Sequence, residues 1–270
     1  MTPLYIEREE IRLLTKKEII SIVVNADLVI EIVDARVPEI LRSRFLENTA
    51  IANSKRLILL LNKKDLVPRE VVEKWLRYYR SKNIETYATS IIHGDLGDFG
   101  KVLGSLREGK TYAAVFGAPK VGKSTLINLL KKKSSAPTSR YPGTPGYTRF
   151  TQIYKINPNL YIIDTPGVLF IEKDPLERII RTKAPEKLKN PVKIAVEIIK
   201  RVQKLDPSFL DEGLGIRCPE DPIEILRKYA IYRGWFYEKD QEPIIEEAAR
   251  DIIRRYLDGR IRYYTTPVQE

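Results

Sequence analysis

The 270-residue sequence predicts an α/β fold, a mostly parallel sheet covered by helices on both faces, followed by a small helical C-terminal domain. Three observations carry this. Apolar, β-branched runs alternate with helically spaced segments, which is the signature of strand–helix–strand units. The strands are nearly continuous in hydrophobicity, as expected where both faces of a parallel sheet are covered. After Gly167 the alternation gives way to a charged, proline-broken stretch and then to helical spacing alone.

In chain order, DLVIEIVDA (27–35), RLILLLN (56–62), IETYATS (84–90), TYAAVFG (111–117) and NLYIID (159–164) read as strands. REVVEKWLRYYRS (69–81) and GKSTLINLLKKK (122–133) place apolar residues at helical intervals. Residues 192–204, 222–232 and 243–257 read as the helices of the tail. A boundary is expected near residue 175, giving a domain of residues 1–174 with an N-terminal helical extension and a helical domain of 175–270. Hydrophobic residues make up 43% and charged residues 31%, and no segment nears the roughly 18 apolar residues that cross a bilayer. A soluble chain without a membrane partner is therefore expected. Its first residues carry charges where a secretory signal would be apolar, and the single Cys218 cannot form an internal disulfide. These features point to a cytoplasmic protein.

The sharpest motif is Gly117-Ala118-Pro119-Lys120-Val121-Gly122-Lys123-Ser124, which follows a strand and opens a helix with Thr125 in its first turn. Glycines let such a loop wrap a phosphate, and backbone amides and the helix N-terminus supply positive potential. Lys123 is placed to reach the β- and γ-phosphates, and the Ser124 hydroxyl to ligate Mg2+. Asp164-Thr165-Pro166-Gly167 ends the strand NLYIID. An Asp there holds the Mg2+ shell, and the glycine amide can meet the γ-phosphate. Asn62-Lys63-Lys64-Asp65 ends another strand and reads guanine. Asp65 can accept from the N1–H and exocyclic amine of that base, which adenine does not present, while Lys63 covers the ring and Asn62 fixes the loop. Thr89-Ser90, at the end of the next strand, joins them.

Ordinary GTPases run phosphate loop, switch threonine, D-x-x-G, N-K-x-D and S-A-K, whereas here the last two come first. With Asp34-Ala35-Arg36-Val37-Pro38 also present, the chain resembles the circularly permuted GTPases of the YlqF/RbgA-type ribosome-assembly family over about residues 20–170. The resemblance implies a permuted P-loop GTPase fold that binds GTP and GDP with Mg2+. It implies that Ser90 reads the guanine through its backbone, with Ile91 and Ile92 replacing Ala and Lys. It offers Thr144 and Thr148 as switch ligands of the metal, with family spacing favouring Thr148. Lys123, Thr148, Gly167 and Lys120 are the implied catalytic group. Three departures from GTPase patterns stand out. Val168 occupies the place of the water-orienting glutamine, as in the family, so slow intrinsic hydrolysis is expected until a partner supplies the missing group. The N-terminal histidine suggested for bacterial members is missing, and the only histidine, His93, reads as a surface turn residue. Lys120 stands where potassium-activated relatives carry asparagine, so its ammonium is expected to lessen dependence on a monovalent cation.

The net charge of +11 is local. Residues 111–170 carry 8 basic and 1 acidic side chains and residues 171–204 carry 10 and 5, whereas 205–258 carry 8 and 13. Such concentration favours a polyanionic partner at the switch side and the domain junction. With the resemblance, it implies rRNA and the large ribosomal subunit or its precursor, with no DNA. KKKSSAPTSR (131–140), Tyr147, Arg149 and the lysines of 183–204 are the candidate contacts. The function expected is GTP hydrolysis as a switch in large-subunit assembly. The alternative is a guanine-nucleotide-gated RNA-binding module with negligible turnover.

Overall fold

The computed structural model describes residues 14–106, 109–132, 152–166, 171 and 174–267. Contacts group the chain into two compact units. One runs up to Lys64 and from Val72 to Ile171, and the other comprises Asp65–Val71 and the chain beyond Ile171.

The first unit is built on a six-stranded sheet in the order β3-β2-β1-β4-β6-β5. Its strands are β1 (Leu28–Asp34), β2 (Arg56–Asn62), β3 (Glu85–Ala88), β4 (Thr111–Gly117), β5 (Gln152–Lys155) and β6 (Leu160–Asp164). All pairings are parallel except that of β5 with β6. Every residue of the central β1 is buried, which is why its sequence is mostly apolar rather than an alternation, with Glu31 the one interruption before the terminal Asp34. The helices of this unit are α1 (Lys16–Asn25), α2 (Pro38–Leu41), α3 (Arg44–Ala52), α4 (Arg69–Ser81), whose first three residues group with the second unit, α5 (Gly97–Ser105) and α6 (Lys123–Lys132). Thr15 and Glu18 start α1 as a reciprocal capping box, and Ile19, Ile22 and Val23 bury its inner face.

Register decides where the site lies. Asp34 pairs with Asn62, Ile32 with Gly117, and Val115 with Asp164. The carboxyl ends of β1, β2, β4 and β6 therefore share one edge, and each ends in a motif. The strand expected over 84–90 leaves the sheet after Ala88. Even so, the Thr89 amide donates to Leu61 O at 2.8 Å and the Lys64 amide to Thr89 O at 3.1 Å, so the two loops stay laddered. Strand β5 was not expected; Ile153 and Tyr154 are buried, and Asn157 closes the hairpin by accepting the amides of Asn159 and Leu160.

The second unit holds α7 (Pro175–Thr182), α8 (Pro191–Leu205), α9 (Ser208–Leu214), α10 (Pro222–Tyr232) and α11 (Ile245–Asp258). Pro175, Pro191 and Pro222 sit at helix starts, where a missing N–H costs nothing, and Asp174 and Asp221 cap α7 and α10. Ile198, Ile199 and Val202 of α8 join Ile252 and Ile253 of α11 in its core. A buried polar knot ties three helices. Glu177 accepts from Arg181 Nε at 2.8 Å, from Tyr256 Oη at 2.6 Å and from Arg201 Nη1 at 3.3 Å, and Arg201 also reaches Asp174 at 2.7 Å.

Glu31 is a buried acid in the middle of β1. Glu31 accepts from the Ser43 amide at 2.6 Å through one oxygen, and its other oxygen has no partner among the described residues. Burial first, and the Glu47 carboxylate second, push its pKa well above the ordinary 4.5, against the Ser43 amide and Arg42, which lower it. The folded chain thus holds a proton that the unfolded chain has released. This stability term is full below the unfolded value and is lost as pH rises toward the folded one. Glu31→Gln should gain stability relative to the parent as pH climbs from about 5 to 8, by at most about 1.4 kcal/mol per pH unit. Urea denaturation across that range measures it, and a pH-independent difference contradicts it.

Candidate nucleotide site

The loop after β4 is shaped by contacts that only glycine permits. A Cβ on Gly117 would lie 2.6 Å from Ile32 O, and one on Gly122, at φ +107°, would lie 2.3 Å from Asn62 Nδ2. Ala118 and Val121 are buried, Pro119 is half-buried, and Lys120 is exposed in the left-handed region at φ +66°. The Leu126 amide bonds Gly122 O at 2.9 Å as α6 begins, so the amides of Lys123, Ser124 and Thr125 fall in its first turn, whose donors lack intrahelical acceptors. That is a positive, concave end suited to phosphate.

Asn62 joins this loop to two others. Its Nδ2 donates to Val121 O at 2.7 Å, and its Oδ1 accepts from the Ile91 amide at 3.1 Å and the Thr89 hydroxyl at 3.3 Å. Asn62, Thr89 and Ser90 are all buried. Ser90 exchanges backbone hydrogen bonds with Asp95, whose carboxylate pairs with Lys64 Nζ at 2.6 Å. Lys63 stands at φ +65°, and Asp65 is exposed in the 3-10 turn Lys64–Leu66.

The third junction is ionic. Lys123 Nζ lies 3.3 Å from Asp164 Oδ1. Burial lowers the lysine's pKa, and the neighbouring carboxylate works against that shift. Thr165 donates from its hydroxyl to Val115 O at 2.7 Å, anchoring the start of the D-x-x-G turn to β4. Among the described residues no cluster of three or more His, Cys, Asp or Glu could hold a metal. Mg2+ rarely uses such cages; it takes one or two carboxylates, a hydroxyl and substrate phosphates, so Asp164 and Ser124 are donors of the right kind.

The structure thus brings together Asn62, Val121, Thr89 and Ile91 in one cluster and Lys123 with Asp164 in another. Thr144, Thr148, Gly167 and Val168 lie outside the described residues. His93 is exposed in the turn Ile91–His93. Sequence reasoning gave no role to Asp95, nor to Thr165 within the D-x-x-G motif. Both act through backbone or loop partners that no motif marks.

Residues 5–173 match the family model of the RsgA GTPase. The chain belongs to the RsgA GTPase family. The chain is 32% identical over 260 residues to the uncharacterized GTP-binding protein MJ1464 of Methanocaldococcus jannaschii, covering 94% of its own length and 68% of that protein. It is 31% identical over 286 residues to the guanine nucleotide-binding protein-like NSN1 of Arabidopsis thaliana, covering 93% of this chain and 48% of that protein. It therefore spans about half the length of that relative. The GDP-bound structure of TM YlqF shares its fold, with a TM-score of 0.62 at 21% identity over 90% of this chain and 95% of that one. GNP-bound YlqF from T. maritima gives 0.58 at 20%, over 88% and 91%. The P-loop GTPase fold in permuted order, expected from the motifs, is the fold observed.

Gly122→Ala should displace the Asn62 amide from Val121 O. Leaving those buried groups unpaired costs about 1–3 kcal/mol, or roughly five- to 150-fold in nucleotide affinity. Titration with a fluorescent GDP analogue measures it, and parental affinity contradicts it.

Proposed function

We propose that the protein hydrolyses GTP to GDP and phosphate, slowly on its own, as a nucleotide-dependent switch in large ribosomal subunit assembly. The observation that carries the nucleotide reading is the Asn62 cluster, which gathers the phosphate loop and both loops expected at the base. In this reading Asp65 accepts the guanine N1–H and amine, Lys63 covers the ring and the Ser90 backbone meets the base. Gly117 through Thr125 wrap the phosphates, with Lys123 moving its ammonium from Asp164 to the β/γ oxygens. Bound Mg2+, held by Ser124, Asp164 and Thr148, would neutralise charge building on the phosphate oxygens. The Gly167 amide would donate to the γ-phosphate. Lys120, exposed within the phosphate loop, would place positive charge where a monovalent cation otherwise acts.

The partner reading rests on charge and on the family resemblance. We assign RNA contact to the switch side and to the lysine-rich start of the helical domain of residues 175–270, about 183–204, and leave its acidic distal helices to protein or solvent. Lys183, Lys187, Lys189, Lys193, Lys200 and Lys204 are exposed, and the last three recur on α8 at intervals of seven and four, which places them on one face. Lys131, by contrast, already lies 4.0 Å over the Tyr154 ring. No described helix is long and apolar enough to cross a membrane. The single cysteine, Cys218, is half-buried and can form no internal disulfide, which fits a reducing cytoplasm.

Phosphate release measured with and without large ribosomal subunits, in potassium and in sodium buffers, tests the proposal. Stimulation by large subunits on the order of tenfold or more, alike in both salts, is expected. Turnover that stays negligible throughout contradicts the hydrolase reading in favour of the nucleotide-gated RNA-binding module, and strong stimulation by potassium alone contradicts the role of Lys120.

A further inference from the structure

The stretch Asp34-Ala35-Arg36 has no role in the nucleotide site as so far described, yet it is clamped beside it. Asp34 is the last residue of β1 and pairs across the parallel ladder with Asn62, the residue before Lys63. The Ala35 amide donates to Asn62 O at 2.7 Å, which fixes the two strand ends side by side. The Asp34 carboxylate is wholly buried and meets two cations. Arg36 holds it with two prongs, Nε to Oδ1 at 2.9 Å and Nη2 to Oδ2 at 2.7 Å, and the Arg36 amide adds a bond to Oδ1 at 3.2 Å. Lys63 Nζ reaches the same Oδ2 at 3.2 Å, with its side chain 22% exposed.

Lys63 is therefore held at both ends. Its backbone sits at φ +65°, a region that an L residue occupies only when its surroundings impose it, and its ammonium rests on a carboxylate that cannot itself move. The four-carbon stem between them loses most of its rotamer freedom before any ligand arrives. Arg36 matters to this indirectly. Its planar fork fixes the carboxylate plane, so the Oδ2 lone pair offered to Lys63 has one direction.

We propose that Asp34 is a positioning residue for the base: it holds Lys63 so that the lysine stem is presented, already ordered, to the face of the nucleotide's purine ring. This rests on the reading of Asn62-Lys63-Lys64-Asp65 as the guanine loop. Ordering a lysine in advance removes part of the entropic cost of binding, on the order of five- to tenfold in affinity for one long side chain.

A double-mutant cycle with Asp34→Asn and Lys63→Met, read as GDP affinity against a fluorescent analogue, tests it. Methionine keeps an apolar chain over the ring but cannot pair with Asp34. If Asp34 acts through Lys63, each variant binds GDP about five- to tenfold more weakly and the double variant is no weaker than either. Losses that multiply show that Asp34 serves the fold by another route and overturn the proposal, as does parental affinity in both single variants. Where Asp34→Asn fails to fold, Lys63→Met alone decides, because its partly exposed side chain can be replaced without opening the core; parental affinity there overturns the proposal. Failure of the underlying base reading shows differently. The parent protein would then bind ADP as well as GDP, while the cycle would still report whether the two residues are coupled.

Discussion

The hydrogen bonds of one buried amide, Asn62, hold this site together. Its nitrogen fixes Val121 of the phosphate loop, and its oxygen fixes Ile91 and Thr89 of the neighbouring loop. The same group explains why position 122 must be glycine, because a Cβ there would occupy the space of Asn62 Nδ2. A buried amide with donor and acceptor both satisfied specifies one arrangement, and the cost of leaving either unpaired penalises the others.

What lies around Asn62 follows from the sheet. A parallel sheet presents the carboxyl ends of its strands at one edge, so the order in which motifs occur along the chain does not matter to the site they build. Here β1 and β2 come first in sequence, yet Asn62 still stands beside the phosphate loop and Asp164 beside Lys123. Permutation changes instead what each motif is covalently joined to. The chain beyond the D-x-x-G turn leads into α7 and a helical unit with its own core and its own buried knot at Glu177.

Much of this was legible because the forces involved leave periodic or short-range marks. Nearly continuous apolar runs announced β1, β2 and β4, and the glycines of the phosphate loop announced a turn that tolerates no side chains. What was not legible depends on contacts between distant residues or on departures from local preference. Strand β5 is four residues long at the sheet edge, too short for alternation to register. Glu31 interrupts an apolar strand, and nothing in its neighbours announces a carboxyl held protonated by burial. Lys63 and Lys120 both adopt φ above +60°, where turn statistics favour glycine or asparagine, because the loops around them impose it. Asp34 lies 29 positions before Lys63, and only the ladder between β1 and β2 brings them together.

Amide hydrogen exchange on an Asn62→Asp variant tests the central role of Asn62 most directly. Aspartate keeps an oxygen for the Ile91 amide but presents an acceptor, not a donor, to Val121 O. If Asn62 joins the loops as described, Ile91 keeps its protection while the amides from Val121 to Ser124 exchange about tenfold faster or more. Protection of the phosphate loop equal to that of the parent protein would contradict it.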